Sequence, residues 1–284
     1  VTASRDLLRR YLTQQITLGE ATITLPRAMQ AAVARAEQAQ APRDGPPLPE
    51  PATEPVSRTP APPRPAGRRA TKGWQADLPP IPPAGIVVKA PDTDLFATDP
   101  LASAPFDDVV ARILACTRCR LHAGRTHAVP GEGPSDARLV VVGEGPGANE
   151  DAQGRPFVGR AGDLLNEILA AIDCPRETVY IANVVKCRPP ENRKPQGDEM
   201  DACMPYLHRQ LALIRPKVVL AMGATAAEAL LQTRASLGQL RNRVHEYRGI
   251  PLVVTYHPAA LLRNPNWKRP TWDDVRIARQ LLDR

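Results

Sequence analysis

Four short apolar runs constrain the fold of this chain more than any other feature. They are Arg138-Leu-Val-Val-Val-Gly143, Thr178-Val-Tyr-Ile-Ala-Asn-Val-Val185, Lys217-Val-Val-Leu-Ala-Met-Gly223 and Ile250-Pro-Leu-Val-Val-Thr-Tyr256. Each is short, rich in valine and free of polar alternation, as a strand buried on both faces reads. Helical stretches over 162–172, 197–214, 224–232 and 272–282 separate and follow them. Strands alternating with helices of this length predict an α/β three-layer sandwich with a central four-stranded parallel sheet. Ligands of such sheets bind outside the carboxyl ends of the strands, so the residues just after each run are the place to look for function.

This pattern begins late. Eighteen of the 32 prolines lie in residues 1–105, ten of them between Pro42 and Pro65. A tract of Pro, Ala, Arg and Thr cannot bury enough surface to offset its ordering entropy. The sequence therefore divides into a short helical segment over 1–40, a disordered linker over 41–105 and a folded domain over 106–284, so the sandwich follows a largely disordered N-terminal extension. In the first segment Leu8, Tyr11, Leu12 and Gln15 share a helical face with Ser4 as the cap, and a second helix is expected over 26–38. The first helix is a candidate docking segment for a protein partner; the plainer alternative is a marginal helix packed weakly on the domain. No apolar run approaches the roughly 18–20 residues a bilayer needs. The first ten residues lack the apolar core and cleavage site of a secretory signal. A monomer in the cytoplasm of a bacterium or archaeon is expected.

The chain carries 37 basic and 30 acidic residues, and the domain alone carries 25 and 20. That surplus suits a phosphate-bearing partner. With 31 of the 37 being arginine, it also suits a GC-rich genome, so the motifs must decide.

The first run leads into Gly143-Glu-Gly-Pro-Gly147 with Glu150 and Asp151. It resembles the start of a dinucleotide fingerprint, but Pro146 removes a donor and the second run ends in Lys186-Cys187-Arg188 rather than an acid for a ribose. In Gly154-Arg-Pro-Phe-Val-Gly-Arg-Ala-Gly162, Phe157 is either a core aromatic or a stacking platform for a planar ring. Asn183 offers an amide whose acceptor and donors match a nucleobase edge, or it serves its own backbone. His257, fixed by Pro258, can donate to a developing oxyanion, or is structural.

Cys116 and Cys119 form a Cys-x2-Cys pair, and Cys187 and Cys203 follow the second run. Such a set reads as metal thiolates, and its spacing suits zinc and an iron–sulfur cluster alike. Cys174 falls outside the set and reads as a plain structural thiol.

Together these motifs, from about Ala111 to the end, resemble the family 4 uracil-DNA glycosylases, the iron–sulfur branch of their superfamily. The resemblance implies hydrolysis of the N-glycosidic bond of deoxyuridine in single- or double-stranded DNA, initiating base-excision repair. The base would be flipped into the strand-end pocket. It implies that Phe157 stacks on uracil, Asn183 reads its polar edge and His257 donates to O2, while Glu144 and the Gly145 backbone border the base and position water. Leu261 would fill the gap left in the duplex, and Arg188, Lys194 and Arg263 would hold phosphates. Cys116, Cys119, Cys187 and Cys203 would carry a structural 4Fe-4S cluster.

Two departures qualify this pattern. Ala259 and Ala260 replace the family's usual serine and tyrosine, which points to single-stranded substrate. Gly145 stands where some superfamily members carry a water-activating aspartate. The branch that traps its substrate covalently has a basic insertion after the second strand; it is absent here, so multiple turnover is expected. The alternatives are a shifted base specificity, for hypoxanthine or a damaged pyrimidine, and a non-catalytic module that recognises uracil or abasic DNA.

Overall fold

The computed structural model describes residues 73–90 and 100–284. The helix expected to start at Ser4 and the one expected over 26–38 lie outside these residues, as does most of the expected linker.

Six strands form one sheet: β1 Ala84–Val88, β2 Leu139–Gly143, β3 Val179–Asn183, β4 Val218–Met222, β5 Val244–Tyr247 and β6 Ile250–Thr255. Their spatial order is β1-β5-β6-β4-β2-β3. The four expected runs are β2, β3, β4 and β6, and these run parallel. β5 is antiparallel to β6, and β1 lies parallel to β5. The expected four-stranded sheet is thus the parallel portion of a six-stranded one.

The two additional strands escape the sequence pattern for different reasons. β5 reads Val-His-Glu-Tyr, half polar, and folds back on β6 through Arg248 and Gly249. Both turn residues have positive φ, 51° and 83°, as a two-residue hairpin requires. β1 hides in proline-rich surroundings, inside the stretch expected to be linker. Where the β1–β5 register shifts, Ile86 N–H donates to Nδ1 of buried His245 at 2.9 Å, and Nε2 of the same ring bonds the Leu240 carbonyl at 2.7 Å. Trp74, 3% exposed, donates to Asp173 at 2.9 Å and lies beneath the Arg279 guanidinium. Residues 73–90 therefore pack into the same sheet and core as the residues after 106.

Among the described residues, eight helices complete the layers: α1 Phe106–Leu114, α2 Ala148–Gln153, α3 Gly159–Ala171, α4 Gly197–Ile214, α5 Ala224–Leu231, α6 Leu237–Leu240, α7 Pro258–Arg263 and α8 Lys268–Leu282. Successive residues of a strand face opposite sides of the sheet, so β2 feeds two cores. Val140 and Val142 pack with Ile113 of α1, Leu207 and Leu211 of α4 and Leu230 of α5. Leu139 and Val141 pack with Leu165 and Leu169 of α3 and Val275 and Leu282 of α8. Each such side chain contributes about 1.5–3 kcal/mol by leaving water. The helices cover both faces and leave the strand ends to loops. No described helix is long and apolar enough to cross a membrane.

Candidate active site

The carboxyl ends of the parallel strands open into a cavity of about 750 Å³. Glu144, Gly145, Phe157, Asn183, His257 and Arg263 line it together, although they come from four separate stretches of sequence.

Glycine decides how closely these groups approach. Gly143, the last residue of β2, pairs in register with Asn183 of β3. A Cβ at Gly143 would lie 2.4 Å from Asn183 Oδ1 and 2.5 Å from Phe157 Cζ, so only glycine lets the amide and the ring meet there. Asn183 is buried, and its Oδ1 has no hydrogen-bond partner. A buried acceptor left unpaired costs about 1–3 kcal/mol, which a ligand donor would recover.

Phe157 holds φ at 48°, a left-handed conformation that a side chain of this size adopts at a cost of roughly 1–2 kcal/mol. Its surroundings enforce it. Arg176 donates to the carbonyls of Pro156 at 2.6 Å and Phe157 at 3.1 Å, and Glu150 accepts from Val158 N–H at 2.9 Å and Gly147 N–H at 3.0 Å. A Cβ at Gly162 would lie 1.9 Å from the Phe157 carbonyl oxygen, so α3 can pass this loop only with glycine there. The Phe157 ring stacks on His257, with centroids 5.3 Å apart.

His257 caps α7, and its Nδ1 accepts from Ala259 N–H at 3.2 Å. An accepting Nδ1 carries no proton, so the neutral ring bears its hydrogen on Nε2. Burial, reinforced by nearby Arg263, pushes its pKa down to about 4. Glu144 Oε2 accepts from the hydroxyl of Thr225, a buried residue in the first turn of α5. Thr225 also lines the cavity, and nothing in its alanine-rich surroundings marks it in the sequence.

The residues expected to contact DNA divide. Arg263 is exposed at the cavity. Arg188 donates to Asn192 Oδ1 at 2.9 Å, Lys194 is paired with Glu228 at 2.5 Å, and neither lines the cavity. Leu261 is 1% exposed, because Pro258 and Leu261 form the inner face of α7. From this position it faces the domain interior; the exposed neighbour is Leu262, at 39%.

Cys116, Cys119, Cys187 and Cys203 line a second, small cavity. The sulfurs accept hydrogen bonds: Cys187 from Arg125 Nη1 at 3.1 Å, Cys203 from Lys186 N–H at 3.3 Å, Cys116 from Arg118 N–H at 3.5 Å and Cys119 from the Leu121 backbone. No three metal-ligating groups among the described residues converge on a single-ion site. Burial raises the thiol pKa values of Cys119, Cys187 and Cys203, the last to about 12. The Lys186 ammonium is buried on a neutral partner, Gln210 Oε1, at 2.8 Å. Cys174 packs in the other core.

The uracil DNA glycosylase superfamily profile matches residues 130–277. The chain is 45% identical to the type-4 uracil-DNA glycosylase of Thermotoga maritima over 178 residues, covering 61% of this chain and 93% of that protein. It is 45% identical to the type-4 enzyme of Pyrobaculum aerophilum over 158 residues, covering 53% and 81%. With the type-4 enzyme of Archaeoglobus fulgidus the identity is 42% over 178 residues, covering 60% and 89%. The profile spans half of the chain, and this chain covers most of each relative's length; it belongs to the type-4 uracil-DNA glycosylase family.

Proposed function

We propose that the cavity takes a uracil extruded from DNA and hydrolyses its N-glycosidic bond, releasing uracil and leaving an abasic site for repair. The unpartnered Asn183 Oδ1 carries this reading. Uracil offers it N3–H and offers the Nδ2 donors O4. Cytosine presents a lone pair at N3 and an amino group at C4, so both contacts become repulsive. A purely structural asparagine would have both ends satisfied.

The chemistry follows from the same groups. As the bond from C1′ to N1 breaks, its electron pair moves onto the uracil N1–C2–O2 system. His257 Nε2–H donates to O2 as charge gathers there; such a preorganised donor lowers a barrier by roughly 3–4 kcal/mol. Phe157 covers the ring face and excludes water from it. Glu144, held by Thr225, orients the water that adds its hydroxyl to C1′, and the remaining proton neutralises the uracil anion. Arg263 faces the strand's phosphates. Ala259 and Ala260 line the same cavity without the hydroxyls expected there, which favours single-stranded substrate.

The four cysteines suit a 4Fe-4S cluster: they line one small cavity, their sulfurs accept N–H donors, and they lie beside a buried ammonium that balances thiolate charge. When bound, the cluster supplies a structural cross-link between the segment before β2 and the segment after β3. Absorbance near 400 nm and about four irons per chain are expected, both lost in C203S; a colourless zinc protein would contradict the assignment.

The activity test compares single- and double-stranded oligonucleotides containing uracil or hypoxanthine, followed by alkaline cleavage. Breaks at uracil, faster in the single strand, are expected. Breaks confined to hypoxanthine would move the specificity, and binding without breaks would make the domain a recognition module.

A further inference from the structure

We propose that Trp267, stacked on Tyr256, is a platform for a nucleobase adjoining the extruded nucleotide in the same strand, with Arg263, Lys268 and Arg269 around it on that strand's phosphates. The proposal rests on DNA being the ligand of the cavity, and it adds a second base subsite at the rim.

Tyr256 follows β6 and Trp267 precedes α8, and both line the cavity. Their rings are parallel to within 4°, with centroids 4.7 Å apart. The Arg241 guanidinium lies 4.6 Å from the Tyr256 centroid. It is itself fixed by Asp274 at 2.6 Å and the Pro270 carbonyl at 2.9 Å, and Asp274 accepts from Thr255 at 2.8 Å. The stack is therefore anchored to a buried polar network and is ordered before any ligand arrives.

Its outer member is in water: Trp267 is 37% exposed, whereas Phe157 at the floor of the same cavity is 5% exposed. Two rings at different depths suit two bases, the extruded one on Phe157 and a neighbour on Trp267. Every base has a π face, so such a platform serves any flanking sequence. The chemistry around the ring agrees. Arg263, Lys268 and Arg269 are exposed, and none pairs with a described carboxylate. An aromatic among unpaired cations is the arrangement that binds single-stranded nucleic acid, stacking and charge acting together.

The test uses the full-length protein and a labelled single-stranded oligonucleotide with one uracil, alongside versions in which the base on its 5′ or 3′ side is replaced by an abasic analogue. Affinity is read by anisotropy for wild type, W267A and W267F. Wild type should bind one of the abasic-flanked strands about tenfold more weakly than the intact strand, within the range of single-base stacking. W267A should bind all three strands alike, and W267F should retain most of the discrimination. Equal wild-type affinity for all three strands, or full discrimination in W267A, would overturn the platform. Uracil release by wild type is scored separately, so failure of the glycosylase reading shows as no release while the binding comparison still decides the platform.

Discussion

His257 is made a donor by one backbone bond. Ala259 N–H occupies Nδ1, so Nε2–H is the hydrogen available to the cavity. His257→Ala should lower kcat about 10²–10³-fold, the usual loss of one oxyanion donor, as measured by single-turnover uracil release. With its pKa near 4, the ring stays neutral through the ordinary assay range, so kcat/KM should show no inflection near pH 6.5 arising from it. Gly143→Ala places a carbon against Asn183 and Phe157; uracil release should fall at least tenfold, since roughly 1.4 kcal/mol of misplacement suffices for that, and the thermal midpoint should fall by several degrees, as overpacking costs about 1–3 kcal/mol. At this scale the sequence was legible where topology leaves no choice: residues just after parallel strands must gather at one rim. It was not legible where packing chooses between neighbours. Leu261 and Leu262 differ by one position, or about 100° around a helix, and only the docking of α7 says which one is buried. Thr225 shows the same limit, because its role is set by its distance to Glu144 rather than by any local pattern.

Among the elements, the four parallel strands were legible because burial on both faces removes polar alternation. β5 was not, since its half-polar sequence belongs to a sheet margin, and β1 was masked by the prolines around it. The addition of residues 73–90 to the domain has an energetic consequence. Trp74 is buried and hydrogen-bonded to Asp173, so Trp74→Ala should destabilise the domain by about 3–5 kcal/mol, as large-to-small core changes do. Urea unfolding measures this. A linker residue would give no change, so a null result would return the boundary to the neighbourhood of residue 106.

For the whole molecule, proton linkage sets an acid limit. Burial lowers the pKa values of His257 and His208 to about 4, each with an arginine nearby, Arg263 and Arg248 respectively. The unfolded chain then binds more protons than the native one between pH 6.5 and 4, so stability is full above 6.5 and falls as pH drops through that window. Asp274, raised to about 6 by burial, acts in the opposite direction above its ordinary value of 3.8, and the two histidines outweigh it. A net loss of order 2 kcal/mol between pH 7.5 and 4.5 is expected after discounting for partial exposure, read from urea midpoints, with a shallower slope in H208Q. A flat profile would contradict the half-buried, neutral histidines.

With 25 basic against 20 acidic residues, the domain carries a field that draws in phosphate, but recognition rests on the cavity. The most direct measurement is alkali-resolved strand cleavage of an oligonucleotide with a single uracil, after incubation with the purified protein and with H257A in parallel. The structure predicts breaks at the uracil position alone with wild type, and breaks at least a hundredfold slower with H257A. No uracil-dependent break with wild type, or equal rates for the two proteins, would contradict it.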